Sequence, residues 1–181
     1  MMKQPFKQIL YTNQELTQRI RELAQTINQD YKDCQNVIMV PIMDGALVFA
    51  GQLLLELDID VMTYSTKISS YSFNTTSSKE PKILTPFTKE LVQNKDIILV
   101  DDMIDTGHTL SMFIDYLKNF GARSVKVCVL FEKEVQARDK HVFVDYVGFK
   151  IPNQWVAGFG IDSKEKLRNC KDFGIVDLKQ Q

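Results

Sequence analysis

The residues best suited to chemistry lie in one stretch, IILVDDMIDTGHTL at 97–110. There the adjacent carboxylates Asp101 and Asp102 follow an apolar run, and Asp105, Thr106, Gly107, His108 and Thr109 come next. Ionised carboxylates only accept hydrogen bonds, so a neighbouring pair suits the vicinal hydroxyls of a sugar. The same pair suits Mg2+, a hard cation satisfied by oxygen ligands and retained waters. An acidic turn facing solvent has this composition too, and residue types alone do not separate the three. Asp105, Thr106, Gly107 and Thr109 have the makings of a phosphate cradle, in which glycine permits close approach, hydroxyls donate and loop N–H groups face the anion. They equally resemble an ordinary capped helix start, since Asp and Thr are frequent caps. No Gly-Lys-Thr/Ser follows a four-residue spacer, so the stretch is not a nucleotide-binding P-loop, and an ATPase reading loses its main support.

Such a stretch works only if a scaffold aims it. The apolar residues 97–100 read as a buried strand, and Leu110, Phe113, Ile114 and Leu117 supply helical spacing, with Gly121 as the stop. A second apolar strand at 125–131 completes a strand-helix-strand unit. In an open parallel sheet, ligands bind beyond the carboxyl ends of the strands, where 101–109 would lie. An earlier unit has the same form: a strand at 37–40, a turn at 41–45, a helix at 46–57 and a strand at 60–65. Ahead of it, Leu16, Ile20, Leu23 and Ile27 mark one face of a helix over 14–28, with Asn13 as its N-cap. A short strand is expected at 82–85 and a turn at Asn94 and Lys95. In the last third, 145–149 and 155–160 read as short strands about the turn residues Pro152 and Asn153. The polar segment 69–78, with Tyr71 and Phe73, is long enough for a functional lid or a mobile excursion.

At 181 residues the chain predicts one α/β domain over 1–181: a central, mostly parallel twisted sheet flanked by helices. A small hood is expected over one end of that sheet, from the N-terminal segment and about 150–181. With 22 Lys plus Arg against 23 Asp plus Glu, the net charge is −1, which disfavours nucleic acid as the main ligand. Cys34, Cys128 and Cys170 are odd in number and lack CxxC spacing. With only His108 and His141 beside them, neither a disulfide framework nor a Cys/His zinc site is expected. The start lacks the apolar core of a signal peptide, and Pro41, Asp44, Gly45 and Gly51 break up the most apolar region, so a cytoplasmic protein with no membrane span is expected.

VDDMIDTGHTL resembles the phosphoribosyl-pyrophosphate signature of type I phosphoribosyltransferases, two acidic residues followed by D-T-G-x-T, in the form of the hypoxanthine-guanine branch. Three further stretches match that branch in order: SSY at 69–71, DYVGFKIPNQWVAGFGID at 145–162, and Arg168 six residues on. The resemblance covers about 37–175, nearly the whole chain.

The resemblance implies the type I phosphoribosyltransferase fold with its hood. It implies purine salvage: transfer of the 5-phosphoribosyl group from phosphoribosyl pyrophosphate to N9 of a 6-oxopurine, hypoxanthine or guanine, giving IMP or GMP. It places Asp101 and Asp102 on the ribose hydroxyls and the metal, and Asp105 near N7 of the purine as the acid or base. Asp105, Thr106, Gly107, His108 and Thr109 would wrap the 5′-phosphate, His108 through its backbone. Lys133, just after the strand at 125–131, would donate to the 6-oxo group, Trp155 would stack on the purine, and Val156 would offer backbone groups to its edge. Asp162 would help hold Mg2+, and Arg168 would meet the pyrophosphate. Ser70 and Tyr71 fall on a lid that excludes water. The family's pyrophosphate loop commonly reads Leu-Lys-Gly, whereas this chain has Met43, Asp44 and Gly45. Asp44 is therefore expected to turn its side chain away while loop N–H groups bind; in the family the peptide of this loop can be cis, a strained non-proline form tolerated at functional sites, and the residues leave open whether Asp44–Gly45 is. The implied partners are small substrates and further copies of the chain, as a homodimer or homotetramer, with no nucleic acid. A rival reading is a regulator of the same fold that binds phosphoribosyl pyrophosphate without turnover; another is a transferase that prefers xanthine.

Overall fold

The computed structural model describes residues 5–69, 81–135 and 142–176. Its main sheet is built on three apolar strands: β2 (Val37–Met43), β6 (Asp96–Ile104) and β7 (Ser124–Glu134). Each reads as a near-continuous buried run, as expected of parallel strands covered on both faces. The order is β5-β4-β2-β6-β7-β8, with β3 (Val61–Thr63) also beside β2, β4 at Thr66–Ser69, β5 at Lys82–Ile83 and β8 at Tyr146–Pro152. All described pairings in this sheet are parallel except β4 with β5.

Helices α1 (Asn13–Tyr31) and α2 (Leu47–Leu55) share one apolar core with the sheet, through Leu16, Ile20, Phe49, Leu53, Ile98 and Val100. On the opposite face, α4 (His108–Asn119) buries Leu110, Phe113 and Leu117 against Ile97, Leu99 and Val127, beside Val92 from the short α3 (Lys89–Val92). Each of these side chains, fully buried, contributes about 1.5–3 kcal/mol, which is why alternation of the strand side chains settles which residues meet which helix layer. The crossover from β2 runs through α2 to one side, and the crossover from β6 runs through α4 to the other. The carboxyl ends of β2 and β6 therefore diverge at a topological switch point, the usual position of a ligand crevice in such sheets.

A second sheet of three antiparallel strands, β1 (Phe6–Tyr11), β10 (Phe173–Val176) and β9 (Val156–Gly158), forms the hood. Aromatic stacking fastens it to the main sheet: Phe173 lies 3.8 Å from Phe131 between ring centroids, and Tyr11 lies 4.0 Å from Phe149.

Several boundaries differ from expectation. The N-cap of α1 is Thr12 rather than Asn13, because Thr12 and Glu15 close a reciprocal capping box. Strand β2 continues through Pro41 to Met43, so the expected turn at 41–45 shrinks to the residues after it; the ladder to β6 runs on to Val100 opposite Pro41. The strand expected at 60–65 is the shorter β3, and a separate short strand, β4, follows it beyond that range; both pair with β2. Strand β8 extends to Pro152, so 150–152 belong to the main sheet and not the hood. The cis peptide of this loop is Met43–Asp44, not the Asp44–Gly45 bond whose isomer the sequence leaves open.

Candidate active site

A cleft of about 270 Å³ opens at the switch point. It is lined by Ile42, Met43 and Gly45 after β2, by 101–110 from the end of β6 into α4, and by Asp162 and Arg168 from beneath the hood. Ten consecutive residues of the stretch that carries the sequence signature thus face one space.

Strand β6 carries its apolar run to Val100 and then delivers Asp101, buried, and Asp102, half-buried, at the cleft floor. Burial, and then the adjoining charge of Asp102, hold the Asp101 carboxyl well above the ordinary carboxylate range. Burial also raises Asp102, opposed by hydrogen bonds from Asp101 and from the Met103 N–H and by the positive charge of Arg168. Two carboxylates this close resist ionising together unless a cation or hydroxyl donors arrive. The loop after β2 packs directly on this pair: a Cβ on Gly45 would lie 2.1 Å from Asp102 Oδ2, so only glycine permits the approach.

Past Ile104 the chain turns through Asp105 and Thr106 to Gly107, which adopts φ +78° as the N-cap of α4. Gly107 has no side chain to cap the helix, and Thr106 Oγ1 accepts only a long hydrogen bond, 3.5 Å, from the His108 N–H. The first turn of α4 instead faces the cleft at the positive end of the helix dipole, with Thr106 and Thr109 beside it, an arrangement that favours an anion. His108 lies in the same lining.

Lys133 lies within β7, not after it, because the ladder to β8 runs on to Glu134 opposite Pro152. That extension carries its ammonium to 2.9 Å from Asp105 Oδ2, with only 12% of the Lys133 side chain exposed. The two groups predicted to meet the neighbouring O6 and N7 positions on one edge of a purine therefore stand together. Trp155 and Val156 are outside the cleft lining. The Trp155 ring is half exposed and its Nε1 donates to Ser163 Oγ at 2.9 Å, while Val156 is buried in β9. Ser163, the neighbour of Asp162, is a positioning contact that no motif singled out. Arg168 donates to the Gly160 carbonyl at 2.7 Å and pairs with Asp162 at 2.6 Å, so these two predicted residues act on one spot. Asp44 does not line the cleft; its carboxylate pairs with Lys67 Nζ at 2.6 Å. Ser70 and Tyr71 lie outside the described residues.

Asp101, Asp102 and Asp162 offer oxygen donors to a metal, though among the described residues no three acidic, His or Cys side chains converge into a cage. That donor set fits Mg2+, which is usually held by one or two carboxylates with waters and substrate phosphates completing its shell.

Residues 7–164 match the family model described as the phosphoribosyl transferase domain. The chain belongs to the phosphoribosyltransferase family. Among the phosphoribosyltransferases it resembles is a hypoxanthine-guanine phosphoribosyltransferase of Streptococcus mutans, 34% identical over 176 residues, which are 97% of this chain and 96% of that one. A crystal structure of a hypoxanthine-guanine phosphoribosyltransferase from Bacillus anthracis superposes with a TM-score of 0.84 at 29% identity, covering 95% of this chain and 98% of that one. A hypoxanthine phosphoribosyltransferase from Staphylococcus aureus gives 0.89 at 26% identity, covering 97% and 94%. The phosphoribosyltransferase fold thus extends across the hood as well as the main sheet.

Proposed function

We propose that this protein is a purine salvage enzyme that transfers the 5-phosphoribosyl group from phosphoribosyl pyrophosphate to N9 of hypoxanthine or guanine, forming IMP or GMP and pyrophosphate. The observation that carries the reading is the convergence, in one cleft, of an acidic pair, the N-terminus of α4 and Asp105, whose carboxylate is paired with Lys133 from β7.

Thr106, Gly107, His108 and Thr109, with Asp105, hold the 5′-phosphate at the start of α4, and Asp101 and Asp102 accept hydrogen bonds from the ribose hydroxyls. Lys133 donates to the purine 6-oxo group, Trp155 stacks on the ring and Val156 meets its edge through the backbone. Asp105 carries the N7 proton as N9 forms its bond to C1′ and the C1′–O bond to pyrophosphate breaks. Arg168, with loop N–H groups near Asp44 and Gly45, takes up the charge of the departing pyrophosphate. Bound Mg2+ supplies further charge neutralisation there, with Asp101, Asp102 and Asp162 as the residues that would hold it. Water must be kept from the ribosyl centre, which is the task of the lid assigned to Ser70 and Tyr71.

We read the chain as one domain because hood residues Val156 and Phe173 share a core with α1 and α2. No helix among the described residues is long and apolar enough to cross a membrane, and Cys34, Cys128 and Cys170 are free thiols, in keeping with work on small substrates in the cytoplasm. Leu47, Leu55 and Leu84 are exposed, apolar surface of the kind that a homodimer or homotetramer covers.

The test is nucleotide formation from phosphoribosyl pyrophosphate and Mg2+ with hypoxanthine, guanine and xanthine in turn. IMP and GMP are the expected products. Binding of phosphoribosyl pyrophosphate without nucleotide from any purine would make the protein a regulator, and XMP alone would move the acceptor to xanthine.

A further inference from the structure

The cleft lining is poor in positive charge for a site that takes a pyrophosphate. Asp101, Asp102, Asp105 and Asp162 line it, and among its described lining residues Arg168 is the one Lys or Arg. The loop after β2, which enters this cleft through Met43 and Gly45, carries a carboxylate at Asp44. The missing cation stands on the adjacent strand. Lys67 in β4 is the register partner of Met43, and its ammonium reaches past the strand end to Asp44 Oδ2 at 2.6 Å. The next residue along β4, Ile68, lines the cleft, and Lys67, outside that lining, holds Asp44 between the lining residues Met43 and Gly45, which puts its ammonium beside the cleft. Asp44 also feels the charge of Arg168, and hydrogen bonding to Lys67 lowers its pKa first and foremost. The Asp44 carboxylate therefore answers to two positive charges, Lys67 in direct contact and Arg168 through space.

Three ion pairs border the site, and their exposure separates them. Lys133 with Asp105 is 12% and 46% exposed, Arg168 with Asp162 is 36% and 33%, and Lys67 with Asp44 is 50% and 54%. An ion pair so wet is weakly held, whereas a charge-assisted hydrogen bond to a phosphate oxygen is stronger. Of the three, the Lys67 pair is the one that an incoming anion most easily breaks.

We propose that Lys67 is a pyrophosphate-binding residue of this site and that Asp44 is its resting counter-ion, displaced when the pyrophosphate group arrives. The inference rests on the phosphoribosyl-pyrophosphate reading above. It makes the sequence departure at Asp44 a relocation of the loop's positive charge to the neighbouring strand.

The experiment is calorimetric titration of the protein with magnesium pyrophosphate, beside steady-state kinetics with phosphoribosyl pyrophosphate and hypoxanthine. Lys67→Met should weaken pyrophosphate about tenfold and raise the KM for phosphoribosyl pyrophosphate similarly, with the KM for hypoxanthine changed less than about twofold. Lys67→Arg should recover most of that affinity. Asp44→Asn should tighten pyrophosphate by about threefold, since the ligand no longer competes with a carboxylate. Unchanged pyrophosphate affinity in Lys67→Met overturns the proposal. Weakening by Asp44→Asn as large as that by Lys67→Met also overturns it, because the pair would then support the loop and not yield to the ligand. If wild-type protein makes no nucleotide, the functional reading itself fails; if it makes IMP while Lys67→Met binds pyrophosphate normally, only this inference does.

Discussion

Asp105 accepts a hydrogen bond from Lys133 at 2.9 Å, and this contact sets what a single substitution there would do. Asparagine preserves the shape and still accepts from Lys133 but cannot take a proton. Asp105→Asn should lower kcat about 100-fold or more, the usual scale of acid–base catalysis, while purine affinity changes less than about fivefold. Stopped-assay turnover and equilibrium binding of hypoxanthine check the two halves separately, and unchanged turnover would remove Asp105 from proton handling. The candidate residues themselves were legible because their types stand in a compact order, D-D-x-x-D-T-G-x-T. Lys133 was named from the resemblance alone, since a lysine at the end of an apolar strand carries no signal of its own. Its meeting with Asp105, 28 positions earlier in the chain, depends on the length of β7 and its register beside β6. Lys67 and Ser163 had no local signal at all: one is a lysine in a short strand, the other a serine in a loop.

At the scale of elements, the hood is held to the main sheet by rings more than by backbone. Phe173 is fully buried and stacks on Phe131, with Tyr11 and Phe149 alongside. Phe173→Ala should cost about 3–5 kcal/mol in unfolding free energy, by loss of burial and opening of a cavity, read from urea denaturation. Because β9 and β10 pair through Phe173 and Gly158, the same change should raise the KM for the purine, whose predicted contacts are Val156, the start of β9, and Trp155 just before it, more than the KM for phosphoribosyl pyrophosphate. Equal effects on both would mean that the hood does not hold the base pocket. Apolar runs located β2, β6 and β7, as strong hydrophobic signals should. The ends of those strands were not legible. Pro41 reads as a breaker in sequence, yet β2 continues through it and on to Met43. The N-cap of α1 moved by one residue because a Thr–Glu capping box outcompetes an asparagine that lacks a matching acid three residues on.

For the molecule as a whole, the end of the sheet opposite the cleft is where stability should depend on acid. Asp96 opens β6 and is 8% exposed in its side chain. Arg123 pairs with it and also donates to the Gln35 carbonyl at 3.2 Å, and Ser124 Oγ donates to Asp96 at 2.8 Å, tying the starts of β6 and β7 to the loop before β2. The Arg123 hydrogen bond, outweighing burial and aided by Ser124, holds the Asp96 carboxyl below its ordinary value. A carboxyl depressed in the folded state adds stability above its unfolded pKa, and that contribution disappears as pH falls through the folded pKa. Asp96→Asn should therefore lower unfolding free energy by about 1–2 kcal/mol at pH 7, the difference shrinking as pH falls below the unfolded pKa and through the folded pKa of Asp96. Activity should survive, since this cluster is remote from the cleft lining. A constant difference between the two proteins across that range would show that shape, not charge, is what Asp96 supplies. The sequence by itself determined the order of elements, the acidic pair at the end of β6 and the phosphate loop, because apolar periodicity and a run of adjacent residue types are local properties of the chain. Only the tertiary structure decided that Lys133 meets Asp105, that Arg168 joins Asp162, and that Asp44 answers to Lys67, because those contacts are set by strand register and by the angle at which the hood and loops cross the sheet, quantities that no local segment contains.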